Sequence, residues 1–398
     1  MFRDLLIRGA VVDGQPAALR ITRGVIAEIA PDLASRGREG VIDLEGLALL
    51  PGLINAHDHL NLDLLPPLGT PPYPSAYAWH DDLERNYPAV AIPHRAVAEA
   101  DRVRWGAYRN LFSGVTTVAH HGPVPWRFWA EGTLPTRVRL PMAWAESLRV
   151  GPDVAARARH ARGRMPFAIH LAEGVDGGAA AEIDRLDAAG ALHEGTMVVH
   201  GVGLDADGRR LLAERRASLV WCPRSNHFLL GRTAAVETLP PEVAVALGTD
   251  STMTGSVTLF DEVRFAAGLG KVRPERLLAM VTSEAARVLM RPDLGKIAVG
   301  TPADLIALPD AGGAAPTLLA ARPGALALVM VGGRVRLAAP RFGWAGDLEA
   351  ATLDGARIRV QRGLGALIDR LRDLLTVEFP SPALTLLSWA GNHRSPGV

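Results

Sequence analysis

The chain predicts an α/β protein built on a closed barrel of parallel strands. Two observations carry that expectation. Between about residue 53 and residue 290, short aliphatic or β-branched runs alternate with segments whose apolar residues recur every three or four positions, the pattern of strand and helix in turn. The polar residues His57, His120, His170, His200 and Asp250 stand at the C-terminal ends of these runs, the end at which barrels of parallel strands carry their functional groups. A third observation sharpens both. Leu49-Leu50-Pro51-Gly52-Leu53-Ile54-Asn55-Ala56-His57-Asp58-His59 is an apolar run closing on two histidines one residue apart. A period of two puts both imidazoles on one face, and Asp58 on the other.

Composition bounds the alternatives. The 398 residues are 48% hydrophobic and 21% charged, enough apolar surface for a large core. A net charge of +1 gives no electrostatic case for nucleic acid or a membrane surface. The single cysteine, Cys222, rules out an intrachain disulfide and a cysteine-based zinc site. Met1 to Ile7 lacks the apolar core of a secretion signal, and no run approaches the ~20 apolar residues of a membrane span. A cytoplasmic protein with a small-molecule substrate is expected, and a homodimer is compatible with it. Lysine is confined to Lys271 and Lys296.

Residues 1–48 read as short strands with turns at Asp13-Gly14 and Thr22-Arg23-Gly24. The run ending at His57 begins near Leu47. Residues 60–93 are proline-rich (Pro66, Pro67, Pro71, Pro72, Pro74) and predict a long loop. Tyr73, Tyr77, Trp79, His80, Asp81 and Asp82 make it a candidate lid. Val97, Ala100, Val103, Ala107 and Leu111 predict a helix closed by Gly114. Strands follow at 115–119, 138–145, 167–169, 196–199, 218–222 and 243–248. Helices are expected over 153–164, 179–189, 205–216 (with Asp205 as N-cap), 257–268 and 274–289. Strands return at 304–308, 326–331 and 334–337, with a Gly332-Gly333 hairpin. Residues 1–48 and 293–340 are therefore expected to join in one sheet domain around a barrel spanning 49–292. In 341–398 a single helix is expected, near Leu364–Leu375.

A mononuclear zinc-type site needs about four nitrogen or oxygen donors and a place for water. His57, His59, His170 and Asp250 meet that need. Glu173, three residues after His170, is placed to shuttle a proton between water and a leaving group. His200 is placed to orient or deprotonate the water, or to polarise the substrate. Glu146, Arg149, Ser225, Asn226 and His227 are candidate substrate contacts on the same rim.

In order, the segments PGLINAHDHL (51–60), SGVTTVAHHG (113–122), HLAE (170–173), VVHG (198–201), CPRSN (222–226), GTDS (248–251) and GTPADLIAL (300–308) resemble the amidohydrolase superfamily, in its deaminase and chlorohydrolase branch. The resemblance covers about residues 50–310. It implies a TIM-like (β/α)8 barrel and a small β-sandwich domain from both chain ends, with 341–398 as an extension. It implies metal ligands His57, His59, His170 and Asp250, a proton shuttle Glu173, an assisting His200, and Asp250 doubling as general base. One divalent ion is implied, zinc first and iron compatible. The carboxylated lysine that bridges two metals in binuclear members has no counterpart, since no lysine lies between His59 and Lys271.

Two departures stand out. Seven clear strands end near residues 57, 120, 145, 170, 200, 222 and 250, against the family's eight, so one β/α unit is degenerate or missing. The loop after His59 differs from that of the well-known nucleoside and guanine deaminases, so the substrate is not carried over. The implied activity is hydrolysis of a C–N bond by attack of metal-bound hydroxide, with deamination of an amino-heterocycle favoured by HLAE. The alternatives are amide hydrolysis (cyclic or linear) or chlorohydrolysis on the same scaffold and, in another class, a non-catalytic ligand-binding barrel.

Overall fold

The computed structural model describes residues 4–88, 94, 96–125, 128, 133–139, 141–150, 153–342, 348–374 and 384–388. The chain opens on β1 (Leu5–Val12), β2 (Gln15–Thr22), β3 (Val25–Ala30), β4 (Gly40–Asp43) and β5 (Leu47–Pro51). Past Gly52 it enters β6 (Leu53–Asp58). The expected single run from Leu47 to His59 is thus two strands, and they belong to different sheets. Gly52 is the crossing point. Its N–H bonds the Asp304 carbonyl at 2.8 Å, and the next N–H, of Leu53, bonds Gly114 at 3.0 Å. A Cβ at Gly52 would stand 2.3 Å from the Thr116 side chain, so the close approach requires glycine.

The middle of the chain runs α1 (Ala76–Asn86), α2 (Glu99–Leu111), β7 (Val115–His120), β8 (Arg137–Val138), β9 (Ala143–Ala145), α3 (Val154–Ala161), β10 (Phe167–Leu171), α4 (Gly177–Ala180), α5 (Glu182–Ala188), β11 (Thr196–His200), α6 (Ala206–Glu214), β12 (Ser218–Trp221), α7 (Pro223–Leu230), β13 (Val245–Leu247), α8 (Leu259–Gly268), α9 (Pro274–Met280) and α10 (Ser283–Val288). These strands form two parallel sheets, β6-β7-β8 and β13-β12-β11-β10-β9. They meet where β13 abuts β6: Asp250 N–H bonds the His57 carbonyl at 3.1 Å, and Thr249 N–H bonds Asn55 Oδ1 at 3.1 Å.

The expected strand over 138–145 is broken in two. Pro141 has no N–H to continue a ladder, so β8 stops at Val138 and β9 starts at Ala143 with no helix between them among the described residues. This is the expected degenerate unit, and β8 brings the parallel strands to eight. Side chains alternate along them. Leu219, Trp221, Val245 and Leu247 join one apolar cluster. Val220 and Ala246 join a second with Ile54, Ala119, Ala168 and Met197.

Other expectations shift locally. The 60–93 loop contains α1, capped by Ser75, whose hydroxyl accepts from Ala78 N–H. The CPRSN segment is α7, with Pro223 in its first turn, where a missing N–H costs nothing. The 274–289 helix is split by Thr282 into α9 and α10. Leu140 and Leu375, expected in a strand and a helix, lie outside the described residues.

The chain closes with β14 (Leu305–Pro309), α11 (Ala314–Ala320), β15 (Leu328–Val331), β16 (Arg334–Ala338), β17 (Leu348–Leu353), β18 (Ala356–Gln361), α12 (Leu364–Leu374) and β19 (Leu387–Ser388). They join β1–β5 in one 11-stranded sheet, with β14 antiparallel to β5. The tail adds three strands to this sheet besides its expected helix, because β18 pairs with β16. Among the described residues, no helix is long and apolar enough to cross a membrane.

Candidate active site

The ends of β6, β10, β11 and β13 converge. His57 Nε2 stands 3.2 Å from His170 Nε2, and His59 Nε2 stands 3.3 Å from the same atom. Asp250 Oδ1 lies 3.7 Å from His57 Nε2 and 3.5 Å from His59 Nε2. Donors around a tetrahedral ion with zinc-like bond lengths stand roughly 3.3–3.6 Å apart, so this spacing fits one small divalent cation. The protonation states fit as well. Burial holds His57 well below its ordinary pKa and lowers His170, leaving the neutral imidazoles that bind metal.

Neighbouring groups aim these donors. His170 Nδ1 donates to the Glu146 carbonyl at 2.7 Å, which turns the Nε2 lone pair towards His57 and His59. Ser225 and Thr254 hydroxyls donate to Asp250 Oδ2 at 2.7 and 2.9 Å, and Ser251 N–H donates to Oδ1 at 2.8 Å. Burial alone would raise the Asp250 carboxyl, but the facing His57 and His59 hold it well below the usual carboxylate range. Three residues leave their strands with positive φ: Ala172 (52°), His200 (72°) and Asp250 (56°). Such backbone is uncommon for non-glycine residues and costs roughly 1–3 kcal/mol. Its recurrence at three neighbouring strand ends marks where side chains are re-aimed.

Glu173 and His200 stand beside the cluster. His200 Nδ1 donates to Asn226 Oδ1 at 2.8 Å, and its Nε2 faces Glu173 Oε1 at 3.5 Å. Burial lowers His200 to about 4, so the ring is neutral. Burial, with Asp250 and Glu146 near, pushes Glu173 well above the ordinary carboxyl range, which favours its protonated form. Residues after His59 place this glutamate: Ala76 N–H bonds the Glu173 carbonyl at 2.9 Å, and Ser75 pairs with Gly174.

Two adjoining cavities open over the cluster, of about 700 and about 380 Å³. The larger has an apolar wall of Leu62, Leu65, Trp79, Leu83 and Met253. The smaller is lined by Tyr77, Asp81, Arg149, Glu182 and Arg185. His80, Glu84, Glu146, His170 and Glu173 line both. The segment after His59 is therefore a wall of the site, with Trp79 Nε1 donating to the Leu68 carbonyl at 2.9 Å. Tyr73 and Asp82 instead bond each other.

The structure brings His57, His59, His170, Glu173, His200 and Asp250 together as expected. Asp58 faces the other way, buried against Arg109, with Asn110 Nδ2 donating to it at 2.6 Å. Of the candidate contacts, Glu146 and Arg149 line the cavities, whereas Ser225 and Asn226 lie behind Asp250 and His200 as hydrogen-bond partners. His227 packs edge-on against Phe265. His120, counted among the strand-end residues, is turned aside: its Nδ1 accepts from Leu60 N–H at 3.2 Å. The next residue, His121, stacks on His170 instead. The His120-His121 pair was the only sequence signal for it. His80, named among the candidate lid residues, lines both cavities; Glu84, one turn later on α1, was hidden by the prolines that predicted a loop.

A family model described as "Amidohydrolase family" matches residues 150–336. The 5-methylthioadenosine/S-adenosylhomocysteine deaminase of Syntrophobacter fumaroxidans is 28% identical over 384 residues, covering 76% of this chain and 83% of that protein. The structure of an adenosine deaminase from Xanthomonas campestris with bound zinc matches with a TM-score of 0.72 at 21% identity, covering 94% of this chain and 98% of that one. Atrazine chlorohydrolase from Arthrobacter aurescens TC1 complexed with zinc matches with a TM-score of 0.72 at 18% identity, covering 93% and 99%. The two structural matches are likenesses of fold.

Proposed function

We propose that this chain is a member of the amidohydrolase superfamily, in its deaminase- and chlorohydrolase-like branch, and a mononuclear aminohydrolase whose metal ligands are His57, His59, His170 and Asp250; the family model over 150–336 and the deaminase relative support that reading. It is a hydrolase of C–N bonds, metal-dependent, acting on an amino-heterocycle. One observation carries the site assignment: four donor atoms from β6, β10 and β13 face one another at 3.2–3.7 Å. Zinc is the ion we assign, on three nitrogens and one oxygen at near-tetrahedral spacing.

A divalent ion bound there supplies Lewis acidity that brings the pKa of a water towards neutrality. The rest is done by the chain. Asp250, its Oδ2 tied to Ser225 and Thr254, is the base that takes a proton from the attacking water. Glu173, whose protonated form burial favours, gives its proton to the departing amine and is restored by the proton that Asp250 took from the water. His200 presents an unprotonated Nε2, fixed by the Asn226 bond at Nδ1, and orients the attacking water. Water adds its oxygen to carbon, the C–N bond breaks, and ammonia leaves. The apolar wall around Trp79 suits a flat heterocycle; the relative from Syntrophobacter is named for an adenosine-type substrate, so aminopurines head the list.

We also infer that β6–β13 close into a (β/α)8 barrel, supported by the alternation of two cores along these strands and by the β6–β13 contacts. β1–β5 and β14–β16 we read as a β-sandwich domain with its own apolar cluster. The test of function is ammonia release over aminopurines, aminopyrimidines, pterins and triazines, on protein of measured zinc content. At least one aminopurine should be deaminated. Zinc-loaded protein silent across the panel would overturn the deaminase assignment.

A further inference from the structure

We propose that His121 is a fifth protein donor to the ion, an addition that rests on His57, His59, His170 and Asp250 being ligands. The ring is fully enclosed, with 0% of the side chain exposed. Both its nitrogens are buried and neither has a hydrogen-bond partner among the described residues. A buried polar atom left unmet is destabilising, and native structures leave few. Packing alone gives no reason for an imidazole here, since a phenyl ring would stack on the same neighbours.

The backbone explains how the ring comes to face the site. His120 ends β7 with its own ring turned to the Leu60 N–H. The following N–H, of His121, bonds the Asp58 carbonyl at 2.8 Å, which locks the chain against the exit of β6. The His121 ring then stacks on His170, with centroids 4.3 Å apart and planes 24° apart, and Trp144 lies 5.2 Å away. Its centroid is 5.3 Å from both His57 and His59. One donor atom from each of His57, His121 and His170 falls within 4.8 Å of the others. That span is wider than the 3.2 Å between His57 and His170 Nε2, so ligation draws the His121 ring inward.

Glu146 completes the arrangement. Its carboxylate lies 3.8 Å from His121 Nε2. Ligating imidazoles commonly give their other N–H to a carboxylate, which orients the ring and raises its basicity. Five protein donors make the site an expanded one, beyond the four that complete a tetrahedral zinc.

The experiment loads metal-free protein with cobalt(II) and follows stoichiometry, affinity and the visible spectrum. Wild type should take one ion per chain, with the very weak bands of six-coordinate cobalt (five protein donors and the water). His121→Asn and His121→Phe should bind at least about 10- to 100-fold more weakly and show the stronger bands of a five-coordinate ion. Melting of the metal-free variants checks the fold, and phenylalanine keeps the stacking. X-ray absorption of zinc-loaded wild type, which needs no variant, should count four imidazoles. Three imidazoles, or unchanged affinity and spectrum in folded variants, would overturn the proposal. So would two ions per chain, which would give His121 and Glu146 an ion of their own. Wild type that binds no metal would remove the ligand set, and with it the proposed function.

Discussion

Two buried polar clusters lie on opposite faces of the β6 exit, and they are satisfied in opposite ways. On one face Asp58 and Asp63 flank the Arg109 guanidinium. Asn110 and Asn55 donate to Asp58 at 2.6 and 3.1 Å, and Asn55 Nδ2 reaches Thr249 Oγ1 on the β13 exit at 2.7 Å. Opposite charges meet, and β6 is pinned to α2 and to the β13 exit. On the other face His57, His59 and His170 turn their Nε2 atoms towards one another and towards Asp250. Imidazole nitrogens gathered this closely without a fold-supplied cation are the reason we propose a metal ion between them. The difference teaches how to sort buried polar residues that are adjacent in sequence. Asp58 sits between two candidate ligands, yet it is a strut, because its partners are supplied by the fold.

The comparison breaks most sharply at His170→Asn. This variant should lose bound zinc and all measurable ammonia release while keeping its circular dichroism spectrum; zinc retained at one per chain would move His170 out of the ligand set. Glu173→Gln comes next. It should keep full metal content but lose about 10²- to 10⁴-fold in kcat, and wild-type turnover in that variant would end its role as the shuttle. Arg109→Met probes the other face. Leaving Asp58 and Asp63 without their cation should destabilise the fold by about 3–5 kcal/mol, read as a shift of the urea midpoint. If it instead abolished zinc binding in still-folded protein, the two faces would not be separable.

The smallest effect tests the same sorting rule outside both clusters. Glu262 on α8 is fully buried, accepting from Arg224 N–H at 2.9 Å through one oxygen while the other is buried without a well-formed hydrogen bond among the described residues. Burial raises its pKa to about 7. The folded state therefore favours the protonated carboxyl. The stability it contributes is full below the unfolded value near pH 4.5 and is lost as pH rises through about 7. Glu262→Gln should remove that decline, worth up to about 3 kcal/mol between pH 5 and 8. Urea midpoints that fall equally in both proteins over that range would refute it.

Much of the site was legible because its signals are local. Asp205 and Ser218 bracket α6 and β12 much as their residue types and spacing predict, and His170 and Asp250 close apolar runs that could only be buried strands. Less of the outer fold was legible. The hairpin of 348–361 went unread although Ala356–Gln361 alternates apolar and polar residues around an Asp354-Gly355 turn; its pairing with β16 recruits it to the sheet. The prolines at 66–74 hid α1, because a breaker speaks only for its own residues.

By itself, then, the sequence determined which residues end the strands, since side-chain alternation and apolar runs are written along the chain. Only the tertiary structure decided what those residues face. His120 and His121 are the same residue type in adjacent positions. A bond from His121 N–H to Asp58, on a strand distant in sequence, turns one ring to the backbone and the other towards His57 and His170. The same holds at Gly52, where a run that reads as one strand is shared between two sheets because Thr116 leaves room for no side chain. Direction at a strand end depends on which neighbour captures the next backbone group, and that neighbour is assembled by folding.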